Sequence, residues 1–437
     1  MDSTTTLSRP IIRPITKYLA HDSQDAVQPL ALVFGGIGLI RSLGEAGIPV
    51  IAAGGPDRFE YSSRYVQRSM IFSDYDSRAF IDELIRAGKQ FESKPVVFTD
   101  SDMALKAFSR HRDVLEHYYR FLFADKELIE DLVDKRRFGI LAQTHHLPIP
   151  CTYVPKDADD LRAISALLQY PCIIKPENQE LWARKDVAEA LFGGEISKAL
   201  KIQSSKELLS ICRKLAALGF ENNYVIQEYI DGRDEMLYDL HVYLDRHSEV
   251  RAAFVGQKIR TYPIHFGMGC YTRSVDRPDI IKVGVSALRN LGYKGIANMN
   301  LKVAPDGRIT ILEINPRYSL WTYLGARCRI NIPLINYMDL IGKPYASPTT
   351  YTTNVYWCLG GNDLRAFLRY RTSGEWTFWM WFGSLFHRKV YQYFNWYDPL
   401  PFVCAVVQFT VLRAKVWPQR LLRKRVSEKI MPMRAGS

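Results

Sequence analysis

The feature that most constrains the fold is an alternation of short apolar runs with amphipathic stretches over residues 30–135. Leu30 to Phe34 and Ile48 to Ala53 are apolar runs that end at pairs of glycines, and Pro95 to Phe98 is a third run. The stretch at 77–89 shows the apolar spacing of a helix. Strands that alternate with helices usually pair in parallel. The sequence therefore predicts an N-terminal α/β domain built on a parallel sheet.

The composition is that of a globular protein with a sizeable core. Hydrophobic residues make up 47% of the 437 residues and charged residues 24%, which suits two or three domains. Seven cysteines without a CxxC pair are typical of a reduced, cytoplasmic protein. The first 25 residues are polar and lack the apolar core of a signal peptide, so we expect a disordered arm there.

Beyond the first domain the predicted strands become more frequent. We expect helices at 126–143, 206–218 and 280–291, and strands at 172–175, 224–230, 241–244, 252–258 and on both sides of Asp306-Gly307. A shift in composition at 342–348 marks the start of a C-terminal segment.

Polar residues at the end of the last of these strands are the strongest candidates for a functional site. Strand side chains alternate between faces, so Glu313, Asn315 and Arg317 share one face. Pro316 has no N–H to donate, so the strand is expected to end there. Mg²⁺ prefers oxygen ligands and a guanidinium matches phosphate, so this face can hold a metal and a phosphate. An ordinary half-exposed strand face would show the same alternation.

The turn before this strand decides which residue faces Glu313. A two-residue loop at Asp306-Gly307 would place Asn300 opposite Glu313. A type I turn followed by a glycine bulge would shift the pairing by one residue and place Met299 there. The polar pattern of the preceding strand favours Asn300, but the sequence leaves both registers open.

The run Glu313-Ile314-Asn315-Pro316-Arg317 resembles the metal-binding strand of the ATP-grasp superfamily. Other motifs follow in the family's order over residues 30–345. Lys135 and Lys175 are similar to the two lysines that bind ATP phosphates. The run Gln227 to Gly232 resembles the hinge strand whose backbone contacts adenine.

The resemblance implies an α/β fold with α+β elements. It implies a disordered arm at 1–25 and a parallel α/β domain, the pre-ATP-grasp domain, at 26–134. A two-lobed ATP-grasp domain with antiparallel sheets would follow at 135–345, and a basic, aromatic C-terminal segment at 346–437.

The resemblance also assigns site residues. Nucleotide contacts are expected from Lys135, Lys175, Gln227, Glu228, Tyr229, Ile230, Asp234, Glu235 and Lys201, metal ligands from Glu313, Asn315 and Asn300, and catalytic roles from Arg317 and Arg260. Asp234 or Glu235 would lie near the ribose, and Arg260 would face the phosphates or the acyl substrate. Asp100 and Asp102 lie where the first domain would contact a substrate.

Two departures from the family pattern are visible. Asn300 stands where the family usually has an acidic metal ligand, so one Mg²⁺ would be held without that charge. The segment 177–201, expected to cover the phosphates, holds Gly193-Gly194 and the lysines Lys198 and Lys201 but no clear Gly-Ser run.

The implied function is ATP-dependent ligation of a carboxylate to an amine through an acylphosphate. ATP and Mg²⁺ are the expected cofactors, with Mn²⁺ as a substitute for Mg²⁺. A degenerate ATP-grasp protein that binds nucleotide without ligating is one alternative, favoured by Asn300. A NAD(P)-dependent oxidoreductase is weaker, because Arg41 replaces the third glycine of the fingerprint that begins at Gly36.

The C-terminal segment carries most of the positive charge. The chain has a net charge of +12, and residues 361–437 hold 13 Lys and Arg against 4 Asp and Glu, with five of the eight tryptophans. Tryptophan combined with basic residues favours the interface of a membrane. An aromatic core packed on the body is an equal alternative. The apolar run 402–412 is shorter than the roughly 20 residues that span a bilayer.

The expected partners are small-molecule carboxylate and amine substrates. No nucleic-acid motif accompanies the basic excess, so no nucleic acid is expected. We expect a cytoplasmic location, with peripheral contact to the inner membrane face through the C-terminal segment as an open alternative.

Overall fold

The computed structural model describes residues 28–72, 74–177, 182, 184–192, 197–221 and 223–411. The predicted N-terminal arm, the glycine pair in the segment expected to cover the phosphates, and the C-terminal segment after residue 411 lie outside the described residues. The described strands form three sheets.

The first sheet confirms the predicted parallel α/β domain. Its strands are β1 (Ala31–Phe34), β2 (Val50–Gly54), β3 (Val66–Ile71) and β4 (Val96–Thr99), and its helices are α1 (Ile37–Gly44), α2 (Arg78–Gly88), α3 (Asp102–Arg110) and α4 (Arg112–Leu115). The strand order is β3-β2-β1-β4, and all pairs are parallel. The sequence does not predict the edge strand β3, because most of its side chains are exposed and it contains no apolar run.

The helix predicted at 126–143 is two helices, α5 (Lys126–Val133) and α6 (Lys135–Thr144). The break lies at Asp134, whose carboxylate accepts hydrogen bonds from the backbone N–H groups of Arg136 (2.8 Å) and Arg137 (3.0 Å). An aspartate in this capping position satisfies N–H groups that a helix leaves free at its start. The cap therefore begins a new helix whose first residue is Lys135.

The second sheet forms a small lobe. Its strands are β5 (Thr152–Tyr153), β6 (Cys172–Pro176), β7 (Leu200–Ile202) and β8 (Tyr224–Glu228), and its helices are α7 (Ala158–Leu167), α8 (Lys185–Phe192) and α9 (Ser205–Ala217). The order is β5-β8-β6-β7, and all pairs are antiparallel. The lobe has an apolar core of its own around Trp182, Ile174 and Leu208.

The third sheet is the largest, with seven strands. Its strands are β9 (Leu237–Leu244), β10 (Val250–Tyr262), β11 (Met268–Ser274), β12 (Gly295–Val303), β13 (Ile309–Asn315), β14 (Tyr356–Cys358) and β15 (Lys389–Tyr391). The helices α10 (Pro278–Asn290), α11 (Thr322–Arg327) and α12 (Ile332–Leu340) accompany it. The order is β13-β12-β9-β10-β11-β14-β15. Its core is continuous with that of the first domain.

The predicted C-terminal segment contributes directly to this large sheet. The strand β14 pairs with β11, and β15 pairs with β14. The helices α13 (Gly360–Thr372) and α14 (Phe378–Ser384) belong to the same segment, and a last helix, α15, is described over 400–411. None of the described helices is long and apolar enough to cross a membrane.

Arg41 joins the first domain to the C-terminal segment. This residue replaces the third glycine of the dinucleotide fingerprint, and its side chain is fully buried. Its Nε atom lies 3.0 Å from Oδ2 of Asp398, and its other nitrogens donate to the backbone carbonyls of Gln392 (3.1 Å) and Tyr393 (2.8 Å). A buried arginine is stable only when paired in this way. The residue that disrupts the fingerprint therefore has a structural role.

Candidate functional site

Strands β12 and β13 combine the two registers that the sequence leaves open. The turn is type I-like: Gly307, with φ +87°, donates its N–H to the carbonyl of Ala304 at 2.9 Å. Pairing next to the turn follows the shifted register, with Leu301 opposite Ile311. A bulge then shifts the pairing by one residue, so that Asn300 lies opposite Glu313 after all.

The bulge completes a row of polar side chains across four neighbouring strands, β13, β12, β9 and β10. The polar row consists of Glu313, Asn300, Asp239 and Lys258; the first three lie opposite one another, and Lys258 reaches in from two residues beyond Gly256, the partner of Asp239 on β10. Asn300 donates through Nδ2 to Oε1 of Glu313 (2.9 Å) and accepts through Oδ1 from Nζ of Lys258 (2.6 Å). The Lys258 ammonium also lies 3.0 Å from Oδ1 of Asp239. The amide of Asn300 thus joins the Glu313 carboxylate to the Lys258 ammonium, which in turn reaches Asp239.

The three residues predicted on one face of β13 do lie together. Asn315 donates through Nδ2 to Oε1 of Glu313 at 2.7 Å. The guanidinium of Arg317 lies 3.4 Å from Oδ1 of Asn315, and it makes a two-pronged ion pair with Asp102 at 2.6 and 3.1 Å. Because Asp102 begins α3 of the first domain, Arg317 connects the polar row to that domain.

Glu313 lies in a strongly positive environment. Burial by itself would raise the pKa of its carboxyl, but the charges of Lys198, Lys135 and Lys175, together with the Asn315 hydrogen bond, bring that pKa down to about 2. Burial lowers the pKa of Lys175 to about 8, although Glu313 opposes the shift. Burial likewise lowers the pKa of Lys198.

Positive charge is in excess at this point. Among the described residues, no carboxylate lies within ion-pair distance of Lys135, Lys175 or Lys198. Lysines that share a partly dehydrated region without such partners repel one another. An anion with several negative charges would remove that repulsion, which makes this region a candidate phosphate site.

The strand predicted to contact adenine lies at the edge of the small lobe. Glu228 closes β8, and its carboxylate pairs with Arg308 at 2.5 and 3.3 Å, which bonds the small lobe to the turn before β13. The buried side chain of Gln227 donates to Oγ1 of Thr152 at 2.9 Å. The Glu228 carboxylate and the amide nitrogen of Gln227 are therefore occupied within the protein, whereas the buried Oε1 atom of Gln227 has no hydrogen-bond partner among the described residues.

The next two residues complete the predicted hinge. The ring of Tyr229 lies 3.8 Å from Nζ of Lys201 and 5.4 Å from Nζ of Lys302, while Ile230 is buried. The structure thus brings the predicted Lys201 and Tyr229 together, and it adds Lys302, which the sequence alone did not single out.

The position of Asp234 in the sequence suggests a contact with the ribose, but in the structure its carboxylate is bound by other groups of the protein. Its Oδ2 atom accepts hydrogen bonds from Thr261 Oγ1 (2.7 Å), from the backbone N–H of His265 (3.0 Å) and from the Tyr370 hydroxyl. Burial would raise the pKa of Asp234, but the side chain of His265 and the hydroxyl groups of Tyr370 and Thr261 bring it down to about 2. Asp234 therefore attaches α13 to the body, while Glu235 beside it is half-buried and stays a predicted ribose contact.

Arg260 is also placed differently from the role implied by the resemblance. Its guanidinium is fully buried, pairs with Asp363 at 2.7 Å and lies over the rings of Tyr271 and Trp376. The pairing of β10 with β11 is irregular on both sides of Arg260, and this residue contacts the C-terminal helices instead of the polar row. The basic side chain of β10 that reaches the row is Lys258.

Two members of the polar row were therefore not among the predicted site residues. Lys258 stands two positions before Arg260 in the same basic run, and only the strand irregularity distinguishes them. Asp239 lies in an otherwise apolar run, and His241, two residues later, shares its face. Two polar residues at a spacing of two within an apolar strand were the signal that could have identified Asp239.

The first domain contributes a rim beside Arg317. Oδ2 of Asp100 accepts the backbone N–H of Gly36 at 2.8 Å, directly before α1. A Cβ atom at Gly35 would lie 2.7 Å from Cδ1 of Leu39 and 3.1 Å from the Asp100 carboxylate, so a side chain there would crowd both. Burial raises the pKa of Asp100, while the Gly36 hydrogen bond and the charges of Arg317 and Arg58 oppose the shift.

Comparison with known proteins supports the same family. No protein-family model matches the chain. The D-aspartate ligase of Enterococcus faecium is 24% identical over 332 residues, which cover 72% of this chain and 77% of that protein. A match to the carbamoyl phosphate synthase large chain of Vibrio cholerae, 23% identical, covers 51% of this chain and 20% of that protein.

Solved structures show the same fold. Biotin carboxylase of Campylobacter jejuni superposes with a TM-score of 0.56 at 14% identity, over 75% of each chain. The L-amino acid ligase of Bacillus licheniformis superposes with a TM-score of 0.54 at 17% identity, over 74% of this chain and 76% of that chain. These comparisons confirm the ATP-grasp fold and the resemblance to ligases of that superfamily.

Proposed function

We propose that this ATP-grasp ligase activates a carboxylate with ATP and couples it to an amine, and that an amino acid supplies the carboxylate. The observation that carries the proposal is the charge arrangement around Glu313. A carboxylate held ionised, with its pKa at about 2, faces three lysines that have no described carboxylate within ion-pair distance. This combination suits a metal ion on one side and phosphate groups on the other.

The donor atoms fit Mg²⁺. Among the described residues, no three His, Cys, Asp or Glu side chains converge on a metal site, so the ion would rely on few carboxylates. Oε1 of Glu313 accepts two amide hydrogen bonds, which leaves Oε2 for the metal. The buried Oδ1 atom of Asn298, opposite Asn315, has no hydrogen-bond partner. Mg²⁺ commonly binds through one or two carboxylates and takes further oxygens from phosphates and water.

Asn300 is compatible with this arrangement. Asp239 provides a second carboxylate in the polar row, one strand further from Glu313 than Asn300 is. Burial raises the pKa of Asp239, while the charge of Lys258 opposes the shift. Asn300 donates to Glu313 and accepts from Lys258, so it orients both groups without repelling Glu313. The amide therefore costs one metal-binding charge but fixes the geometry of the ligand beside it.

The residues of this chain have distinct roles in the proposed reaction. Lys175 and Lys198 balance the phosphate charge of ATP, and Arg317 stabilises the group in transfer. The γ-phosphorus forms a bond to a substrate carboxylate oxygen as its bond to the β-phosphate oxygen breaks, which gives ADP and an acylphosphate. The amine then attacks the acyl carbon, inorganic phosphate leaves, and the amine loses a proton as the amide forms. Bound Mg²⁺ would supply further neutralisation of phosphate charge.

Two observations support an amino acid as the acyl substrate. The D-aspartate ligase and the L-amino acid ligase, which by their names act on amino acids, resemble this chain over about three quarters of its length. The rim of the first domain also combines opposite charges, with Asp100 and Asp102 next to Arg317 and Arg58. A zwitterionic substrate needs both signs of charge within a short distance.

The test is ATP-dependent phosphate release by the full chain with D- and L-amino acids, aspartate first, and amine acceptors. We expect release with at least one pair, and a loss of about 100-fold or more in Glu313→Ala. Glu249→Ala is the matched control, because Glu249 is an exposed glutamate whose carboxylate pairs, within the described part of the chain, with Arg289 alone. Unchanged turnover in Glu313→Ala would remove the site assignment.

Asn300, in place of the usual acidic metal ligand, favours a second candidate function, which is nucleotide binding without ligation. In that case the protein binds ATP and Mg²⁺, but no carboxylate and amine pair stimulates phosphate release. Calorimetric titration of ATP alongside the phosphate assay separates the two functions.

A further inference from the structure

We propose that the C-terminal segment docks on the surface of an anionic phospholipid bilayer. The proposed docking surface, called the aromatic surface below, is formed by α14, the loop around residue 396 and α15. This proposal concerns a different region from the nucleotide site and does not depend on the proposed ligase activity.

Large apolar side chains project from this surface. Trp379 on α14 is 74% exposed, Phe386 after it 75%, and Trp396 83%. Each exposed aromatic side chain leaves a large apolar area in water, which is unfavourable unless another phase covers it. Tryptophan is the side chain most suited to the boundary between water and lipid, because its ring is apolar and its N–H is polar.

The last described helix is joined to the loop around residue 396 through Phe394, whose ring lies 4.7 Å from that of Trp396 and 5.5 Å from that of Phe402. Leu400, Val403 and Val407 are each more than half exposed, and in α15 only Pro401 and Ala405 are buried. No charged residue occurs from 399 to 412. The 12 residues of α15 make a helix about 18 Å long, shorter than the hydrocarbon core of about 30 Å. It suits insertion along the interface better than crossing of the membrane.

The charges of the segment select an anionic partner. Two of its three acidic residues up to residue 411 are buried and paired inward, Asp363 with Arg260 and Asp398 with Arg41. The third, Glu375, contacts His265. By contrast, Arg371 and Arg388 are exposed. The exposed charges that the described part of the segment itself carries are therefore mainly cationic, which complements anionic headgroups.

The same charge pattern disfavours two other occupants. In a symmetric pair of identical chains the basic surface would meet itself, and like charges in contact oppose association. Residues 412–437 hold eight Lys and Arg and one Glu, so their net charge is positive, like that of the surface they would cover. Both occupants would add positive charge where negative charge is needed.

The aromatic surface is firmly attached to the body. The Arg41–Asp398 pair anchors the loop before α15, and Gln408 of α15 donates to the backbone carbonyl of Asp57 at 2.7 Å. Asp57 precedes Arg58, whose guanidinium donates to the carbonyl of Gly35 on the rim of the first domain. Docking would therefore hold this rim close to the bilayer surface.

The experiment is flotation of the full chain with phosphatidylcholine vesicles, with and without phosphatidylglycerol. We expect binding to the anionic vesicles, weakened by salt, and much less binding to the neutral ones. The triple variant Trp379→Ser/Phe386→Ser/Trp396→Ser should bind the anionic vesicles about 10-fold more weakly or worse, since each ring loses its apolar contact with lipid.

The control is Ile140→Ser/Leu167→Ser, two similarly exposed apolar residues outside the surface, which should bind as the unchanged chain does. Circular dichroism checks that both variants are folded, and sedimentation gives the oligomeric state. Failure to bind anionic vesicles, equal binding to neutral vesicles, or undiminished binding by the folded triple variant would each overturn the proposal. So would a dimer that binds no vesicles and that the triple variant converts to monomer.

Discussion

The two sides of the seven-stranded sheet differ in how their buried charges are balanced. At the β13 side, Glu313 faces Lys135, Lys175 and Lys198, and no described acid pairs with those lysines. At the β14 side, Arg260 pairs with Asp363 in a site from which solvent is excluded. Both regions are rich in charge, yet only the first leaves charge uncompensated.

This difference distinguishes groups that bind a ligand from groups that hold the fold. Charges buried without partners cost folding free energy, so they are expected where a ligand supplies the missing charge. A balanced buried pair costs less, and its charge needs no ligand, although Nη1 of Arg260 has no hydrogen-bond partner among the described residues. On this basis Arg260 is structural, and the lysines around Glu313 are functional.

The largest expected effect is on stability, at the balanced pair. Arg260→Met leaves Asp363 buried without its partner, and removal of one member of such a pair typically costs about 3–5 kcal/mol. At a temperature where the variant is still folded, we expect it to bind ATP within about 2-fold of the unchanged chain. Substitutions at sites that are far apart and share no partners have independent energetic effects. Urea denaturation and calorimetric titration measure the two quantities. A stable variant that no longer binds ATP would reverse the assignment of Arg260.

The opposite pattern is expected at the unbalanced site. Lys175→Met should weaken ATP binding by about 100-fold, because a charge-assisted contact with phosphate is lost. Its thermal stability should rise, because a half-buried ammonium group that Lys135 and Lys198 repel is removed. Lys214→Met, on the small-lobe helix α9, is the control. Reduced stability together with unchanged ATP affinity would show that Lys175 belongs to the structural class.

The lowered pKa of Lys175 predicts a pH dependence. With its pKa at about 8, the side chain is charged below that value and loses its proton above it. ATP binds the charged form, so the affinity should fall by about 10-fold between pH 7 and pH 9 and binding should take up a proton in the upper range. Lys175→Arg, which stays charged, should flatten the profile. A flat profile in the unchanged chain would contradict the prediction.

The smallest effect is expected at Asn300. Asn300→Asp adds a metal-binding charge beside Glu313 but removes the Nδ2 donor and introduces repulsion. We expect Mg²⁺ affinity to rise by about 5-fold and thermal stability without metal to fall, as in other sites with adjacent carboxylates. Leu167→Asp, far from the polar row on α7, controls for the added charge. Weaker Mg²⁺ binding in Asn300→Asp would mean that the amide is itself the better ligand.

Much of the architecture could be predicted from local sequence. The strand around Ala31–Phe34, the capped helix α2 and the strand end at Asn315 follow from apolar spacing, a serine cap and a proline. The missed elements lack such signals. The strands β14 and β15, for example, have three residues each and are stabilised by neighbours far away in the chain.

The site itself divides in the same way. The sequence determined that Glu313, Asn315 and Arg317 share a face, because a strand alternates its side chains with a period of two. It also contained both components of the β12–β13 geometry, the glycine turn and the polar match of Asn300 with Glu313. Only the tertiary structure reconciled them, through a bulge that satisfies the turn at one end and the pairing at the other.

Tertiary structure alone decided which charges meet. Lys258 and Arg260 are two residues apart in one strand, yet the first reaches Asn300 and the second reaches Asp363, 103 residues further along the chain. Strand order places Asp239 in the polar row, and the small lobe brings Lys175 to Glu313. Pairing between distant strands and lobes depends on contacts that no short stretch of sequence encodes, so the residues of the site were predictable but their partners were not.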